Sequence, residues 1–298
     1  MSPADRLTGV FVSLVTPFED EAPRLDWLSE NMDALNRTSI RGYLALGGNG
    51  EAQTLTESER VHVLDAILAR KGSKIVIAGV SEESSRAAIG TARLYASRGA
   101  DYLRVMPPHY FSKHMNDEVL VRFYREVADE SPVPLLLYNV PKLTGGVRLS
   151  PETAAVLARH PNILGVKDSS PEGIYGYLAA VREIPGFRVL AGSAGIFFPA
   201  LVAGASGGDM SLANFLPGPC CELYDAFRSG DLDRARSLHH RLFTVNAAVS
   251  GTYGVAGVKA AMDLTGYRGG EPRKPLSALT MPQRNSLRSV LAEEGYLA

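Results

Sequence analysis

Eight short apolar, β-branched runs recur along this chain, and most are followed by a longer amphipathic stretch. That alternation leaves few folds open. The runs are Val10–Val15, Gly42–Leu46, Ile75–Ala78, Tyr102–Met106, Leu135–Tyr138, Ile163–Val166, Arg188–Ala191 and Gly207–Met210. Near-continuous apolar runs of this length read as strands buried on both faces. Between them, helical patterns span Leu25–Asn36, Thr56–Arg70, Glu82–Arg98, Asn116–Glu130, Pro151–Arg159, Glu172–Arg182 and Ala194–Ala203. Thr56-Glu57-Ser58-Glu59 is a capping box, and Ser150 with Pro151 supplies an N-cap and a first-turn proline. Strands that alternate with helices predict a parallel sheet with right-handed crossovers. Eight such units close into a (β/α)8 TIM barrel. An open doubly wound sheet is the alternative, but the first strand–helix turn has no Gly-x-Gly-x-x-Gly fingerprint.

From Pro217 the strand signals stop. Helical patterns at Gly218–Arg228, Leu232–Asn246, Gly254–Leu264 and Met281–Glu294 follow, and Asp231 caps the second. The expected organisation is an α/β barrel over residues 1–216 and a C-terminal helical appendage over 217–298.

The balance of 31 Lys+Arg against 32 Asp+Glu gives no electrostatic case for nucleic acid or an anionic membrane. No apolar run approaches the ~20 residues of a membrane span. The start, Met1-Ser2-Pro3-Ala4-Asp5-Arg6, carries no apolar signal core. Cys220 and Cys221 are sequence neighbours, so reduced thiols in a cytoplasmic-type setting are expected. None of the six histidines has metal-ligand spacing. No P-loop or nucleophile elbow is present. No metal and no organic cofactor is expected.

Barrel chemistry belongs at the carboxyl ends of the strands. The lone lysine of Gly165-Val166-Lys167 sits at one such end. It is either a surface lysine just past a strand or an amine among apolar walls. Desolvation favours the neutral amine, the form that attacks a ketone to make a Schiff base. Gly47-Gly48-Asn49-Gly50-Glu51 is either an ordinary turn or a nest of backbone N–H groups for an anion. Tyr138 is a proton relay or a core aromatic. Pro107-Pro108-His109-Tyr110-Phe111 lines a pocket or, preferably, a subunit interface. Gly192 and Ser193 suit close approach to a ligand or a helix start. Asp209, an acid within an apolar strand, needs a polar contact. A pyridoxal-phosphate enzyme would also use a lysine, but no phosphate cup is evident beyond residues 47–51.

Together these segments resemble the dihydrodipicolinate synthase / N-acetylneuraminate lyase family of class I aldolases. The resemblance runs from Gly9–Phe18 to the last helices. Gly47–Glu51, Tyr138-Asn139-Val140-Pro141 and Gly165-Val166-Lys167 anchor it. It implies that Lys167 forms the Schiff base and Tyr138 relays protons. Gly48, Asn49 and Gly50 would hold the carboxylate of a 2-oxo acid. Tyr110 would reach a neighbouring subunit's site in a homotetramer, a dimer of tight dimers. Within the family the chain is most similar to 4-hydroxy-2-oxoglutarate aldolases, through Leu190–Gly195, Leu212–Asn214, Asn246–Val249, Gly257–Lys259 and Gly266-Tyr267. Three positions depart from the family pattern. Leu143 stands where dihydrodipicolinate synthases carry a carboxylate-binding arginine. Gly48 replaces a Thr or Ser of the proton relay. Asp209 replaces an apolar residue.

The expected activity is cleavage or formation of a carbon–carbon bond with pyruvate as one partner, with 4-hydroxy-2-oxoglutarate giving pyruvate and glyoxylate. Alternatives are a 2-keto-3-deoxy sugar acid aldolase or dehydratase, a sialate-type lyase, a dihydrodipicolinate synthase (disfavoured by Leu143) and a non-catalytic ligand-binding barrel.

Overall fold

The computed structural model describes residues 2–170 and 173–297. Eight parallel strands form a closed barrel: β1 (Gly9–Ser13), β2 (Gly42–Ala45), β3 (Ile75–Val80), β4 (Tyr102–Val105), β5 (Leu135–Asn139), β6 (Ile163–Asp168), β7 (Arg188–Ala191) and β8 (Gly207–Met210). Neighbours follow chain order, and β8 meets β1 to close the ring. Every residue of β3, β4 and β5 is buried. That is why these strands read as unbroken apolar runs rather than alternating ones.

Helices follow the strands: α1 (Leu25–Asn36), α2 (Glu57–Arg70), α3 (Ser85–Arg98), α4 (Asp117–Glu130), α5 (Pro151–Leu157), α6 (Gly173–Val181) and α7 (Phe197–Val202). The C-terminal helices are α8 (Pro217–Ser229), α9 (Leu232–Asn246), α10 (Thr252–Leu264) and α11 (Met281–Glu293). Caps set most of the starts. The side chains of Thr56, Ser84, Asn116, Ser150, Asp231 and Thr280 each accept a backbone N–H from the first turn.

Several boundaries differ from the sequence reading. The sixth strand runs through Asp168, so Lys167 lies within it rather than in a following loop. The fifth extends to Asn139 and the third to Val80, while the first spans Gly9–Ser13 and stops short of Val15. Helix α3 begins at Ser85, not Glu82, because Ser84 is its cap. The expected helix over 194–203 divides into a 3-10 turn (Ala194–Ile196) and α7, because Ser193 caps onto the Gly195 N–H. Helix α10 begins at Thr252 and is kinked at Gly254 (φ 56°, ψ −140°), a conformation open to glycine and closed to other residues. Glu172, the expected start of the sixth helix, lies outside the described residues. A short hairpin of Phe18–Glu19 and Ala22–Pro23 carries no strand signal in the sequence.

By internal contacts the chain divides into two compact units. One is Met1–Thr8, Ile77–Gly192 and Pro199–Gly208; the other is Gly9–Val76, Ser193–Phe198 and Asp209–Ala298.

Candidate active site

In the first unit, β5 and β6 pair so that Tyr138 stands opposite Lys167. Lys167 is 4 % exposed and Tyr138 5 %. The lysine Nζ lies 5.2 Å from the centre of the Tyr138 ring. Met106 and Val140 pack with Tyr138 in one small apolar cluster. The amine therefore sits against an aromatic face rather than in solvent. The hydroxyl of Ser169, two residues beyond Lys167, donates to the Tyr138 hydroxyl at 3.5 Å, the outer limit of a hydrogen bond.

Two glycines make this strand end possible. A Cβ on Gly165 would lie 2.6 Å from the Arg188 carbonyl oxygen, so β6 and β7 close up only around a glycine. A Cβ on Gly192 would lie 2.6 Å from the Asp168 oxygen and 2.2 Å from Ser169 Oγ. The Gly192 N–H donates to Asp168 O at 2.7 Å. Gly192 thus fastens the end of β6. Asp168 is fully buried and accepts from Asn139 Nδ2 (2.7 Å) and Ser170 Oγ (2.9 Å). Burial pushes its carboxyl above the usual range, against the pull of those donors. Asn139 also accepts the Leu149 N–H at 3.1 Å, tying the segment after β5 to the same network.

A fully buried arginine completes the group. Arg104, on β4, is 1 % exposed, and its guanidinium carbon lies 4.1 Å above the Tyr138 ring centre. Sequence reasoning missed it. The signal was present, because a charge inside an apolar strand is the same feature that drew attention to Asp209.

In the second unit, the loop after β2 is a tight turn. Leu46 (φ 54°) and Glu51 (φ 51°) bracket it in the left-handed region, which is strained for residues other than glycine. The Glu51 N–H donates to the Gly48 oxygen and the Ala52 N–H to the Gly47 oxygen. Gly48 is exposed and Gly50 is buried. Asn49 Nδ2 donates to Ser13 O (3.2 Å) and to Ser211 Oγ (2.7 Å). Asn214 Nδ2 donates to Ser13 O and Ser211 O, and its Oδ1 accepts the Val15 N–H. The side chain of Asn49 is therefore a fastening between the turn and the ends of β1 and β8. Beneath it, Glu51 and Lys259 form a fully buried ion pair at 2.5 Å. Burial pushes the Lys259 ammonium down to about 8, even though Glu51 opposes the shift. Glu51 also accepts the Arg273 N–H, and Arg273 pairs with Glu59 at 2.7 Å.

The remaining predicted residues are scattered. Ser193 Oγ accepts from the Gly195 N–H and from Asn246 Nδ2, so its hydroxyl is held by the following turn and by α9. Asp209 is buried in β8. Tyr110 is 78 % exposed and Leu143 is 55 % exposed. The N–H groups of His109 and Tyr110 donate to Glu83, which fixes the backbone and leaves the tyrosine ring outside. Among the described residues, no group of three or more His, Cys, Asp or Glu can hold a metal, and no helix is long and apolar enough to cross a membrane.

Comparison with known proteins places nearly the whole chain in one family. The model of the dihydrodipicolinate synthetase family matches residues 6–294. An uncharacterized DapA-like lyase of Halobacterium salinarum is 36 % identical, over 98 % of this chain and 95 % of its own. A 4-hydroxy-tetrahydrodipicolinate synthase of Methanothrix thermoacetophila is 33 % identical, with 96 % of each chain covered. The solved structure of YagE in complex with pyruvate, a prophage protein of the dihydrodipicolinic acid synthase family from E. coli K12, has a TM-score of 0.90 and 26 % identity, over 97 % of this chain and 98 % of that one.

Proposed function

We propose that Lys167 is the Schiff-base lysine of this enzyme, which belongs to the dihydrodipicolinate synthetase family and is a class I, pyruvate-using lyase. One observation carries the assignment. Lys167 is buried at the carboxyl end of β6 with its Nζ against the ring of Tyr138, its register partner.

On this reading the Lys167 amine attacks the ketone carbon of a 2-oxo acid. Water leaves, and a protonated imine forms. The bond between the third and fourth carbons then breaks, and its electron pair moves toward the imine nitrogen as an enamine. Tyr138 takes the proton of the fourth-carbon hydroxyl, so that half departs as an aldehyde. The enamine is protonated at carbon, and water releases pyruvate from the lysine. Positioned acid–base help of this kind contributes about 10²–10⁴-fold.

Gly48 lacks the hydroxyl expected of a relay partner. The nearby Ser169 hydroxyl, 3.5 Å from Tyr138, supports that residue as the substitute. With the Asn49 side chain engaged by Ser13 and Ser211, the substrate carboxylate is assigned to the backbone N–H groups of residues 48–50. Of the possible substrates we favour 4-hydroxy-2-oxoglutarate, which gives pyruvate and glyoxylate. Leu143 supports this choice, because it offers no cation to an amino-acid aldehyde. The exposed Tyr110 ring is assigned to contact with a second copy of the chain in a tetramer.

The test is reductive trapping. Incubation with pyruvate and borohydride should add one reduced pyruvate per chain, seen by intact mass and mapped to Lys167. Lys167→Ala should abolish the adduct. An adduct that survives this substitution would refute the assignment. A panel of 4-hydroxy-2-oxo acids with coupled pyruvate detection fixes the aldehyde half.

A further inference from the structure

Arg104 has no role in the chemistry above, yet its placement is costly. A guanidinium stays protonated at any physiological pH. Taken out of water, a charge of this kind is tolerated when acceptors meet its N–H groups. Arg104 Nε and Nη1 are both buried, and no hydrogen-bond acceptor meets either among the described residues. Its contact is the face of Tyr138, which offers no lone pair in the guanidinium plane.

The strand order gives this cation its meaning. β4 and β6 flank β5, so the Tyr138 ring receives a cation from each neighbouring strand. Both distances are measured to one ring centre, which confines the lysine and the guanidinium to a single small region. The lysine nitrogen and the guanidinium carbon therefore lie no farther apart than those two distances together. A 2-oxo acid carries three further carbon–carbon bonds from its ketone carbon to a second carboxylate in a five-carbon chain. At about 1.5 Å per bond, those three bonds together with the imine bond to Lys167 and a hydrogen bond at the far end span a separation of that order.

We propose that Arg104 is the residue that selects a substrate whose aldehyde half carries a carboxylate. A dicarboxylic 2-oxo acid places its distal carboxylate on the Arg104 guanidinium, at one of its two unmet N–H sites, while its ketone carbon meets Lys167. This rests on the Schiff-base reading for the position of the ketone. The anion preference itself is a property of Arg104.

The test uses Arg104→Met, which keeps bulk and removes charge, and Arg104→Lys, which keeps charge. The wild type should cleave 4-hydroxy-2-oxoglutarate at least 100-fold better in kcat/KM than 4-hydroxy-2-oxopentanoate, whose tail is neutral. Arg104→Met should collapse that ratio about 100-fold, and Arg104→Lys should restore part of it. Pyruvate trapping at Lys167, which needs no distal carboxylate, should fall far less than cleavage of 4-hydroxy-2-oxoglutarate in both variants. The ligand-free Tm of Arg104→Met should equal or exceed that of the wild type, because an unpaired buried charge is gone. Equal loss on both substrates, an unchanged ratio, or a ligand-free Tm well below wild type overturns the proposal. Calorimetry separates it from the Schiff-base reading. If the wild type traps no pyruvate, it should still bind 2-oxoglutarate more tightly than 2-oxopentanoate, and Arg104→Met should erase that difference. The absence of any difference in the wild type overturns the Arg104 assignment independently.

Discussion

Ser169 stands next to Asp168 in a turn that a sequence reading passes over as polar punctuation, yet its hydroxyl is the one that meets Tyr138. If it serves as relay partner, Ser169→Ala should lower kcat about tenfold and leave KM nearly unchanged, whereas Tyr138→Phe should lose about 10²–10⁴-fold. Steady-state kinetics with a cleavable 4-hydroxy-2-oxo acid decides this. A Ser169→Ala enzyme with wild-type kcat would remove serine from the relay. At this scale legibility was uneven. Lys167 and Tyr138 drew attention as a lysine after an apolar run and a tyrosine at a strand end, but taken alone each read equally as a surface lysine or a core aromatic, and the family resemblance singled them out. Ser169, Arg104 and Asn214 drew none. Their importance comes from what the chain brings beside them across dozens of residues, and single-residue identity holds no trace of that. The Asn49 side chain shows the converse. It stands out in the sequence as a candidate for holding substrate, while the partners of its amide, Ser13 and Ser211, are not visible there.

The strands and helices follow their local rules closely, because apolar runs and polar caps are written in adjacent residues. Thr56, Ser150 and Asp231 start their helices where the sequence places them. The differences fall where tertiary pairing extends an element. β6 continues past Val166 because Lys167 and Asp168 find ladder partners in Tyr138 and Asn139 on one side and Leu190 and Ala191 on the other. A lysine and an aspartate look like a strand's end when only their polarity is visible. Gly192 belongs to the same element-level logic. Read alone, it suits a ligand's approach; in the fold it lets β7 close on the end of β6. Gly192→Ala should force Asp168 and Ser169 aside, at about 1–3 kcal/mol of stability. It should also slow pyruvate trapping several-fold, since Lys167 shares that strand. Denaturant unfolding and trapping time courses measure the two effects. A fully stable, fully reactive Gly192→Ala protein would show that the strand end is not so constrained.

Across the whole molecule, the closed ring of parallel strands was legible because eight repeats of one pattern have very few closed solutions. The manner in which the C-terminal helices attach was not. Lys259 reads as an ordinary helical lysine, but it lies fully buried against Glu51, more than two hundred residues earlier in the chain. Its ammonium also donates to Glu271 O and lies 4.4 Å from the centre of the Phe18 ring. The pair therefore couples the turn after β2 to α10, and its titration should appear in global stability. In the native protein Lys259 titrates near 8; in the unfolded chain a lysine titrates near about 10.4. Between these values the unfolded state holds more protons, so this group's contribution to stability rises with pH. Below about 8 both states are protonated, and the full penalty of a buried ammonium is present. The Tm of the wild type relative to Lys259→Met should therefore shift in the wild type's favour, by about 5 °C, between pH 7 and pH 10. A parallel pair of Tm–pH curves would contradict the shift. Glu51→Gln isolates the other half of the pair. It leaves the ammonium buried without its carboxylate and should destabilise the protein by about 3–5 kcal/mol at pH 7. That loss should shrink as the pH is raised and Lys259 gives up its proton, a trend that a defect confined to the turn would not reproduce.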